Sequence, residues 1–283
     1  MLRLAIQSKG RLSDESTALL KEIGVSLDDS HRKFLLQAQG LPLELLYLRD
    51  DDIPQVVSDG TAALGIVGLN EVQERGLPVT IVKKLGFGNC RISLAVPKNA
   101  GYDGPRWFNG KRIATSYPNI LNRWLQENGI DAKVQVITGS VEVAPAAGIA
   151  DAIFDIVSSG GTLVANGLLE VEKVFWSEAV LISAGNLGAE GEDILKEMLF
   201  RIDSAQVSRG KKYLLMNIPT AAVDEAIRII PAMRSPTIMP LAAEGWCSMH
   251  SVVDEADLWD KGKLLKAIGA EGILVLNIDK IIP

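Results

Sequence analysis

Short apolar runs alternate with amphipathic, helix-like segments over the first part of the chain. Apolar residues recur at helical spacing in residues 13–23, which predicts a helix with Ser13 as its N-cap. Buried strands are predicted at residues 2–6, 43–48 and 64–67. The helix lies between the first two strands in the sequence, and a second, short helix lies between the last two. This alternation is typical of a parallel sheet covered by helices.

A second series of the same kind follows a Pro- and Gly-rich segment at residues 97–105. Its predicted strands are residues 111–115, 133–137 and 152–157, and its helices include an Ala-rich one from Val141 to about Ile149. Strands at residues 171–176 and 179–183 then lead back toward the first series. The pattern indicates a second lobe inserted into a first. Such folds bind ligands between the lobes, at the carboxyl ends of the strands.

The last part of the chain, from about Lys211, has a different rhythm. Its order of predicted elements is strand, helix, strand, strand, helix, strand, which is the ferredoxin-like unit. This part contains no Gly-rich phosphate-type loop. A small extra domain of this kind is more often regulatory or oligomerising than catalytic.

Composition and charge narrow the classes of function. The 283 residues are 47% hydrophobic and carry a formal net charge of −6, which argues against a binder of nucleic acid or anionic membrane. The N-terminus lacks the apolar region of a signal peptide, and no run of about 18 apolar residues could span a membrane. We therefore expect a soluble cytoplasmic protein. Cys90, Cys247, His31 and His250 are scattered, so a structural zinc site is not expected.

The most specific candidate site is the turn after the apolar strand that contains Asp151 and Asp155. Its residues are Ser158, Ser159, Gly160, Gly161 and Thr162, called here the 158–162 loop. Glycines allow consecutive backbone N–H groups to face an anion, and a helix starting there favours the same anion. Asp155 can accept hydrogen bonds from sugar hydroxyls, so the pair suits a phosphoribosyl group. The alternative is an ordinary strand-to-helix turn built from small residues.

Further polar residues follow other predicted strands or start predicted helices. They are Lys9, Arg11, Arg49, Asp50, Asp51, Asp52, Gly68, Asn70, Arg112, Ser116, Tyr117 and Glu142. Each is also consistent with a solvated turn charge, a helix cap or a packing residue. The chain shows neither a nucleophile elbow nor a Walker A loop. The candidate chemistry is therefore a substitution driven by positioning and electrostatics.

Seven blocks, in order along the chain, resemble a known family. They are QSKGRL at 7–12, RDDDIP at 49–54, GIVG at 65–68, KRIATSYP at 111–118, GSVEVAP at 139–145, DAIFDIVSSG at 151–160 and SPTIMPL at 235–241. Together they resemble the long-form ATP phosphoribosyltransferase family over essentially the whole length. The resemblance implies an α/β fold with a two-lobed, periplasmic-binding-protein-like catalytic part and a C-terminal ferredoxin-like (βαββαβ) regulatory domain.

The resemblance also implies domain limits and a reaction. Catalytic lobe I is expected at residues 1–98 plus 178–208, lobe II with the phosphoribosyl-binding loop at 99–177, and a histidine-binding regulatory domain at 209–283. In the expected reaction, N1 of the adenine of ATP attacks phosphoribosyl pyrophosphate. The products are phosphoribosyl-ATP and pyrophosphate, in the first committed step of histidine biosynthesis. Mg²⁺ is the expected cofactor, carried mainly by the substrate phosphates, with its protein ligands unknown.

Residue roles follow from the same resemblance. The 158–162 loop holds the ribose phosphate, Asp155 holds the ribose hydroxyls, and Glu142 fixes the sugar or its magnesium. Lys9 and Arg11 balance phosphate charge and join Asp155 as the catalytic set. The expected nucleotide-binding residues are Asp51, Asp52, Gly68, Asn70, Arg112 and Tyr117.

The expected partners are ATP, phosphoribosyl pyrophosphate and histidine as a feedback inhibitor, contacted at Asn217 and Thr237. A homo-oligomer that interconverts between dimer and hexamer is also expected. Two alternatives remain at this point. One is a two-lobed binding protein without catalysis, and the other is a catalytically idle regulatory homologue.

Overall fold

The computed structural model describes residues 1–27, 35–231 and 233–282. His31 lies outside these described residues. The chain forms two compact units, Met1–Lys196 and Glu197–Pro283.

The first unit contains two sheets and the helices that cover them. Its strands are β1 Leu2–Gln7, β2 Ser26–Leu27, β3 Leu35–Gln39, β4 Leu43–Leu48, β5 Leu64–Gly68, β6 Thr80–Lys84, β7 Cys90–Pro97, β8 Arg112–Thr115, β9 Lys133–Val136, β10 Ala152–Val157, β11 Leu168–Ser177 and β12 Ala179–Ser183. Its α-helices are α1 Arg11–Glu22, α2 Ile53–Ser58, α3 Leu69–Arg75, α4 Pro118–Asn128 and α5 Gly161–Ala165, followed along the chain by α6 Gly188–Ser208.

The first sheet has the strand order β2-β3-β4-β1-β5-β12-β6. Strand β1 pairs in parallel with β4 and β5, so the carboxyl ends of these three strands meet at one edge. The residues of β1 are largely buried, and Leu4, Ala5 and Ile6 are fully so. The turns after β1, β4 and β5 therefore bring the segments that begin at Ser8, Arg49 and Leu69 to one edge of the sheet.

The second sheet has the order β11-β7-β10-β8-β9. Strand β7 lies inside it, antiparallel to both β10 and β11. The predicted lobe boundary at residue 98 differs from this arrangement, because it assigns β7 to the first lobe. The crossing between sheets lies before Cys90, not after Pro97. Strand β12 then returns the chain to the first sheet, between β5 and β6.

Two predicted helices differ from the structure. Helix α1 begins at Arg11 after Gly10, so Ser13 is a buried residue of the first turn and not the N-cap. The predicted Ala-rich helix is a 3-10 turn at Val141–Val143 followed by turns. Pro145 explains the difference, because it has no N–H to donate and its ring would clash within a helix.

After the last part of α6, the second unit consists, among the residues described, of a four-stranded antiparallel sheet with two further α-helices. Its elements are β13 Lys211–Pro219, α7 Val223–Ile229, β14 Thr237–Pro240, β15 Trp246–Asp254, α8 Leu258–Ala267 and β16 Glu271–Asn277. The strand order β14-β15-β13-β16 is that of the ferredoxin-like fold, as predicted. Alternate residues of β13 and β15, such as Met216 and Met249, pack with α7 and α8 residues into one core.

Candidate active site

A cleft of about 350 Å³ lies between the two sheets, at the carboxyl ends of the parallel strands β1, β4 and β5 of the first sheet. Its lining residues are Gln7, Arg11, Leu12, Asp50, Gly68, Asn70, Glu71, Gly88, Cys90, Ile156 and Ser158. Arg11, Gly68, Asn70 and Ser158 were predicted as site residues from sequence. The lining thus combines residues that follow β1, β4 and β5 of the first sheet with residues of β7 and β10 and the start of the 158–162 loop.

The 158–162 loop joins β10 to the short helix α5. Strand β10 is central in the second sheet, between β7 and β8, which fixes the start of the loop. Gly160 has φ +84°, a left-handed conformation that favours glycine, and α5 begins at the next residue. The Gly161 N–H contacts Ser159 Oγ at 3.5 Å, and Ser158, Ser159, Gly161 and Thr162 are exposed. The loop therefore presents small polar residues and the first turn of a helix to solvent.

Asp155 lies on β10, three residues before the loop. Burial raises the pKa of Asp155 to about 6, the Ile156 N–H that it accepts at 2.8 Å lowers it, and the negative charge of Glu142 raises it. Asp155 also contributes to the raised pKa of Tyr117, so Glu142, Asp155 and Tyr117 lie in one neighbourhood. A half-buried carboxylate beside an exposed polar loop can accept hydrogen bonds from ligand hydroxyls.

The predicted charged residues after β1 and β4 divide into two groups. Arg11 and Asp50 line the cleft, and Arg11 Nη2 donates to the Asn89 carbonyl at 3.3 Å. Lys9 is exposed in the turn after β1. Asp51 is bound by two arginines, Arg49 at 3.3 Å and Arg75 at 3.4 Å, whereas Asp52 is exposed. Within the acidic run at residues 50–52, Asp50 therefore lines the cleft, and Asp51 forms ion pairs with Arg49 and Arg75.

Asn70 and Tyr117 belong to a buried polar network that links the two sheets. Tyr117 Oη donates to Glu71 Oε1 at 2.9 Å, and Asn70 Nδ2 donates to the same oxygen at 2.9 Å. Asn70 Nδ2 also lies 3.2 Å from Tyr117 Oη, and Ser177 Oγ donates to Asn70 Oδ1 at 2.8 Å. The polar atoms of both predicted nucleotide residues are therefore engaged within the protein.

Glu71 was not predicted from sequence, yet it lines the cleft and only 6% of it is exposed. Burial raises the pKa of Glu71 to about 7, although the Tyr117 hydrogen bond opposes the shift. In the sequence it is one more acidic residue in a helix first turn. Its role depends on Tyr117, 46 residues away, so no local pattern could reveal it.

Gly68 is required by this network. A Cβ at position 68 would lie 2.3 Å from Asn70 Oδ1, so any side chain there would displace Asn70 from Ser177. The sequence predicted Gly68 as a nucleotide contact. The geometry gives a further reason for a glycine at this position, namely the space that Asn70 needs.

Arg112 lies at the other end of its strand from the cleft. It begins β8, and its guanidinium binds Asp151, with Nη2 3.1 Å from Oδ1, and the Gly148 carbonyl at 3.0 Å. The hydrogen bonds from Arg112 lower the pKa of Asp151. The structure therefore does not bring Arg112 to the lining of the cleft, and its nucleotide-binding role stays a prediction. The residue instead joins the starts of β8 and β10.

In the second unit, Asn217 and Thr237 lie on one face of the sheet. Asn217 is opposite Ser248, and Thr237 is opposite His250. Ser248 and His250 are two residues apart on β15, so their side chains share a face. This face is opposite the one that carries the core residues Met216 and Met249. Tyr213 Oη and Ser248 Oγ both bond to the His250 ring, at 2.9 and 3.1 Å.

The donor set in the first unit fits a magnesium ion that is held mainly by its substrate. Asp155 and Glu142 offer carboxylate oxygens, which Mg²⁺ prefers, and they lie close enough to interact electrostatically. Within residues 1–27, 35–231 and 233–282, no group of three or more His, Cys, Asp or Glu side chains could hold a metal ion. Mg²⁺ commonly takes one or two carboxylates and keeps phosphate and water ligands. Among the helices of the described ranges, none is long and apolar enough to cross a membrane.

Two sheets around a cleft that carries charged and polar side chains, with a Gly-rich loop at one side, define a two-lobed α/β ligand-binding fold. The substrate-binding protein of an amino acid ABC transporter has the same fold, with a TM-score of 0.51 at 12% identity over 73% of this chain and 93% of that chain. A closer structure is that of the ATP phosphoribosyl transferase (HisG:HisZ) complex from Thermotoga maritima. It aligns with a TM-score of 0.62 at 28% identity, over 72% of this chain and 96% of that chain.

Sequence comparison is more specific. A family model described as ATP phosphoribosyltransferase matches residues 49–204, and one described as HisG, C-terminal domain, matches residues 208–280. Relatives named ATP phosphoribosyltransferase from Bacteroides fragilis and Bacteroides thetaiotaomicron are 56% and 55% identical over 282 residues, with both chains fully covered. The chain belongs to the ATP phosphoribosyltransferase family, in its long form with the C-terminal domain. It is therefore an enzyme of the pentosyltransferase class.

Proposed function

We propose that this chain transfers the phosphoribosyl group of phosphoribosyl pyrophosphate to N1 of the adenine of ATP, in the first committed step of histidine biosynthesis. The products are phosphoribosyl-ATP and pyrophosphate. The observation that carries the proposal is the 158–162 loop three residues after Asp155, with Ser158 in the lining of a cleft that Arg11 also lines. The loop holds the 5-phosphate, and Asp155 accepts hydrogen bonds from the ribose hydroxyls.

The chemistry needs positioning more than covalent catalysis. Adenine N1 attacks the anomeric carbon as the bond to pyrophosphate breaks, so positive charge develops on the ribose and negative charge on the leaving group. The carboxylate of Asp155 lies on the ribose side, and Lys9 and Arg11 stabilise pyrophosphate or triphosphate charge. The turns at Gly68 and after Arg49, with Asp51 and Asp52 in the latter, form the nucleotide side. Holding both substrates in line lowers the entropic part of the barrier.

Magnesium is the cofactor that fits this site. The chemistry that it would supply, bound to the substrate phosphates, is neutralisation of charge on the departing pyrophosphate. Asp155 and Glu142 are the residues that would share its coordination. Burial raises the pKa of Asp155 and the negative charge of Glu142 raises it further, so a cation near these carboxylates would favour their ionised forms.

The C-terminal unit is the regulatory domain in this proposal. Histidine binds on the sheet face that carries Asn217 and Thr237 and inhibits the enzyme. The same face exposes apolar side chains, with Leu274 56% and Leu276 48% exposed. Exposed apolar residues grouped on one face are typical of an association surface, which supports a homo-oligomer of the dimer and hexamer type.

An absorbance assay for phosphoribosyl-ATP tests the proposed reaction. Protein, ATP, phosphoribosyl pyrophosphate, Mg²⁺ and a pyrophosphatase are mixed, and Asp155→Asn and Thr162→Ala are compared with the exposed control Asp131→Asn. We expect turnover in the wild type and the control. Asp155→Asn should reduce kcat/KM about a hundredfold or more, and Thr162→Ala about tenfold.

The other outcomes would each overturn the proposal. Binding of phosphoribosyl pyrophosphate without turnover in the wild type would identify a non-catalytic binding protein. Failure to bind either substrate would identify an idle homologue. Unchanged activity in both Thr162→Ala and Asp155→Asn would remove the 158–162 loop and Asp155 from the mechanism.

A further inference from the structure

Arg91 is placed directly beside the start of the 158–162 loop. It is the second residue of β7 and lies opposite Val157, the last residue of β10, in the antiparallel pair. From there Arg91 Nη1 donates to the carbonyl oxygen of Ser158 at 3.1 Å. A guanidinium thus holds the first carbonyl of the loop.

The guanidinium is itself fixed by Glu170 on β11. Arg91 Nε and Nη2 donate to the two carboxylate oxygens of Glu170 at 2.5 and 2.6 Å, and Ser93 Oγ donates to Oε1 at 2.7 Å. The two side chains are only 17% and 19% exposed. Such a bidentate, partly buried pair holds the guanidinium in one orientation. The hydrogen bond from Arg91 also lowers the pKa of Glu170, so Glu170 stays ionised at neutral pH.

A fixed carbonyl also fixes the next N–H. In a trans peptide the C=O and N–H bonds point in opposite directions, and the structure has no cis peptide among the residues described. Because the Ser158 carbonyl points to Arg91, the Ser159 N–H points away from it. The orientation of the Ser159 N–H, one of the loop's backbone donors, is therefore set by a contact outside the loop.

We propose that Arg91, oriented by Glu170, is a positioning residue that holds the 158–162 loop in its phosphate-binding conformation. The inference rests on the proposed role of this loop in binding phosphoribosyl pyrophosphate. Glu170 neutralises the charge of Arg91, so the contribution of Arg91 is one of geometry and not of long-range attraction to the phosphate. ATP, bound through other residues, does not depend on it.

A matched control exists in the first sheet. Arg3 Nε donates to Glu44 at 2.9 Å and Arg3 Nη1 donates to the Thr61 carbonyl at 3.1 Å, so it joins a carboxylate and a backbone carbonyl as Arg91 does. Arg3 lies four residues before Gln7, the residue of β1 that lines the cleft, which is about 13 Å along a strand. Loss of this arginine should therefore affect stability without affecting the loop.

The experiment compares Arg91→Gln, Arg91→Lys and Arg3→Gln. Steady-state kinetics are measured with each substrate varied, and calorimetry follows the binding of phosphoribosyl pyrophosphate with Mg²⁺. We expect Arg91→Gln to lower kcat/KM for phosphoribosyl pyrophosphate at least about tenfold, with less than about a twofold change in KM for ATP. Arg91→Lys should stay defective, because lysine keeps the charge but cannot bind Glu170 in a bidentate manner and Ser158 together.

Glu170→Gln provides a second route if Arg91→Gln folds poorly. This substitution removes the charge that orients the guanidinium. Like Arg91→Gln, it should weaken the binding of phosphoribosyl pyrophosphate. The positioning role is overturned if both substrates are affected equally, if Arg91→Lys is fully active, or if Arg91→Gln behaves like Arg3→Gln. Inactivity of the wild type would instead refute the proposed function, so the two failures are distinguishable.

Discussion

At the scale of single residues, the protonation state of Asp155 should make the activity depend on pH. Its pKa of about 6 is raised by burial and by Glu142. The ionised carboxylate accepts stronger hydrogen bonds from ribose hydroxyls than the protonated acid does, and only the ionised form carries the negative charge that stabilises a developing positive charge on the ribose. Binding and catalysis are therefore retained above about pH 6 and weaken as the pH falls through 6. Sequence alone could indicate the carboxylate but not its environment.

We predict that kcat/KM for phosphoribosyl pyrophosphate falls about tenfold between its plateau and pH 5. Glu142→Gln removes a like charge, so its normalised pH profile should shift to lower pH, even if its plateau is reduced. The measurement is a pH–rate profile for the wild type and Glu142→Gln, with Glu127→Gln on the exposed end of α4 as control. An acid limb that does not move in Glu142→Gln would contradict this electrostatic coupling.

At the scale of elements, a carboxylate from one helix caps the start of another. Glu74 of α3 accepts the backbone N–H groups of Asn119 and Ile120 at 2.9 and 3.0 Å, in the first turn of α4. Its backbone carbonyl also accepts Asn119 Nδ2 at 2.9 Å. Glu74 thus fastens α3, which follows the first sheet, to α4 of the second.

Glu74→Ala should lower the free energy of unfolding by about 2 kcal/mol, because the buried N–H of Ile120 and the part-buried N–H of Asn119, both at a helix N-terminus, lose their acceptor. Urea denaturation followed by circular dichroism measures this change. Glu127→Ala, at the exposed end of α4, should cost less than about 0.5 kcal/mol. Equal effects of the two substitutions would show that the cap contributes nothing.

The elements also show what the sequence could predict. Buried strands such as β1 and β10 were evident, because a short, continuous apolar run between turn residues is typical of a strand inside a sheet. The peripheral strands β3 and β6 were not predicted, since their residues are mostly exposed or half-buried and lack a clear apolar pattern. The predicted lobe limit at residue 98 groups β7 with the first lobe, whereas β7 pairs with β10 and β11 of the second sheet, because its own residues do not specify which sheet it joins.

The candidate site was predictable only where its chemistry is local. The 158–162 loop and Asp155 are adjacent in sequence, and their residue types indicate phosphate and ribose. Glu71 and Arg91 act through partners 46 and 79 residues away, Tyr117 and Glu170. A contact across that separation leaves no periodic or spacing signal in a single sequence. The same limit applies to Arg112. The sequence did not show that Arg112 forms an ion pair with Asp151 at the end of β8 that lies away from the cleft.

At the scale of the whole molecule, the exposed sheet face of the C-terminal unit has a testable consequence. Leu274 and Leu276 lie on β16, opposite Leu215 and Tyr213 of β13, and so share the face of Asn217. Apolar side chains on a regular sheet face gain burial energy when they pack against another chain.

Leu274→Glu combined with Leu276→Glu should shift the protein to a smaller species in analytical ultracentrifugation, because charges would be buried in the association surface. Trp259→Glu is the control, since Trp259 is 80% exposed on α8 and not on the sheet. Histidine sensitivity should be measured in parallel. A sedimentation coefficient unchanged by the double substitution, or lowered equally by Trp259→Glu, would exclude this face as the association surface.

The return of strand β12 to the first sheet determines the order in which a nascent chain can fold. The strands of the second sheet, from Cys90 to Ser177, are contiguous in sequence. The first sheet cannot be completed before Ala179–Ser183 (β12) has been synthesised, because this strand pairs with both β5 and β6. On the ribosome the inserted lobe therefore has its full set of described strands before the surrounding lobe can close. Until then, β5 and β6 leave the exit tunnel with an unpaired edge, the state most exposed to aggregation and to chaperone binding.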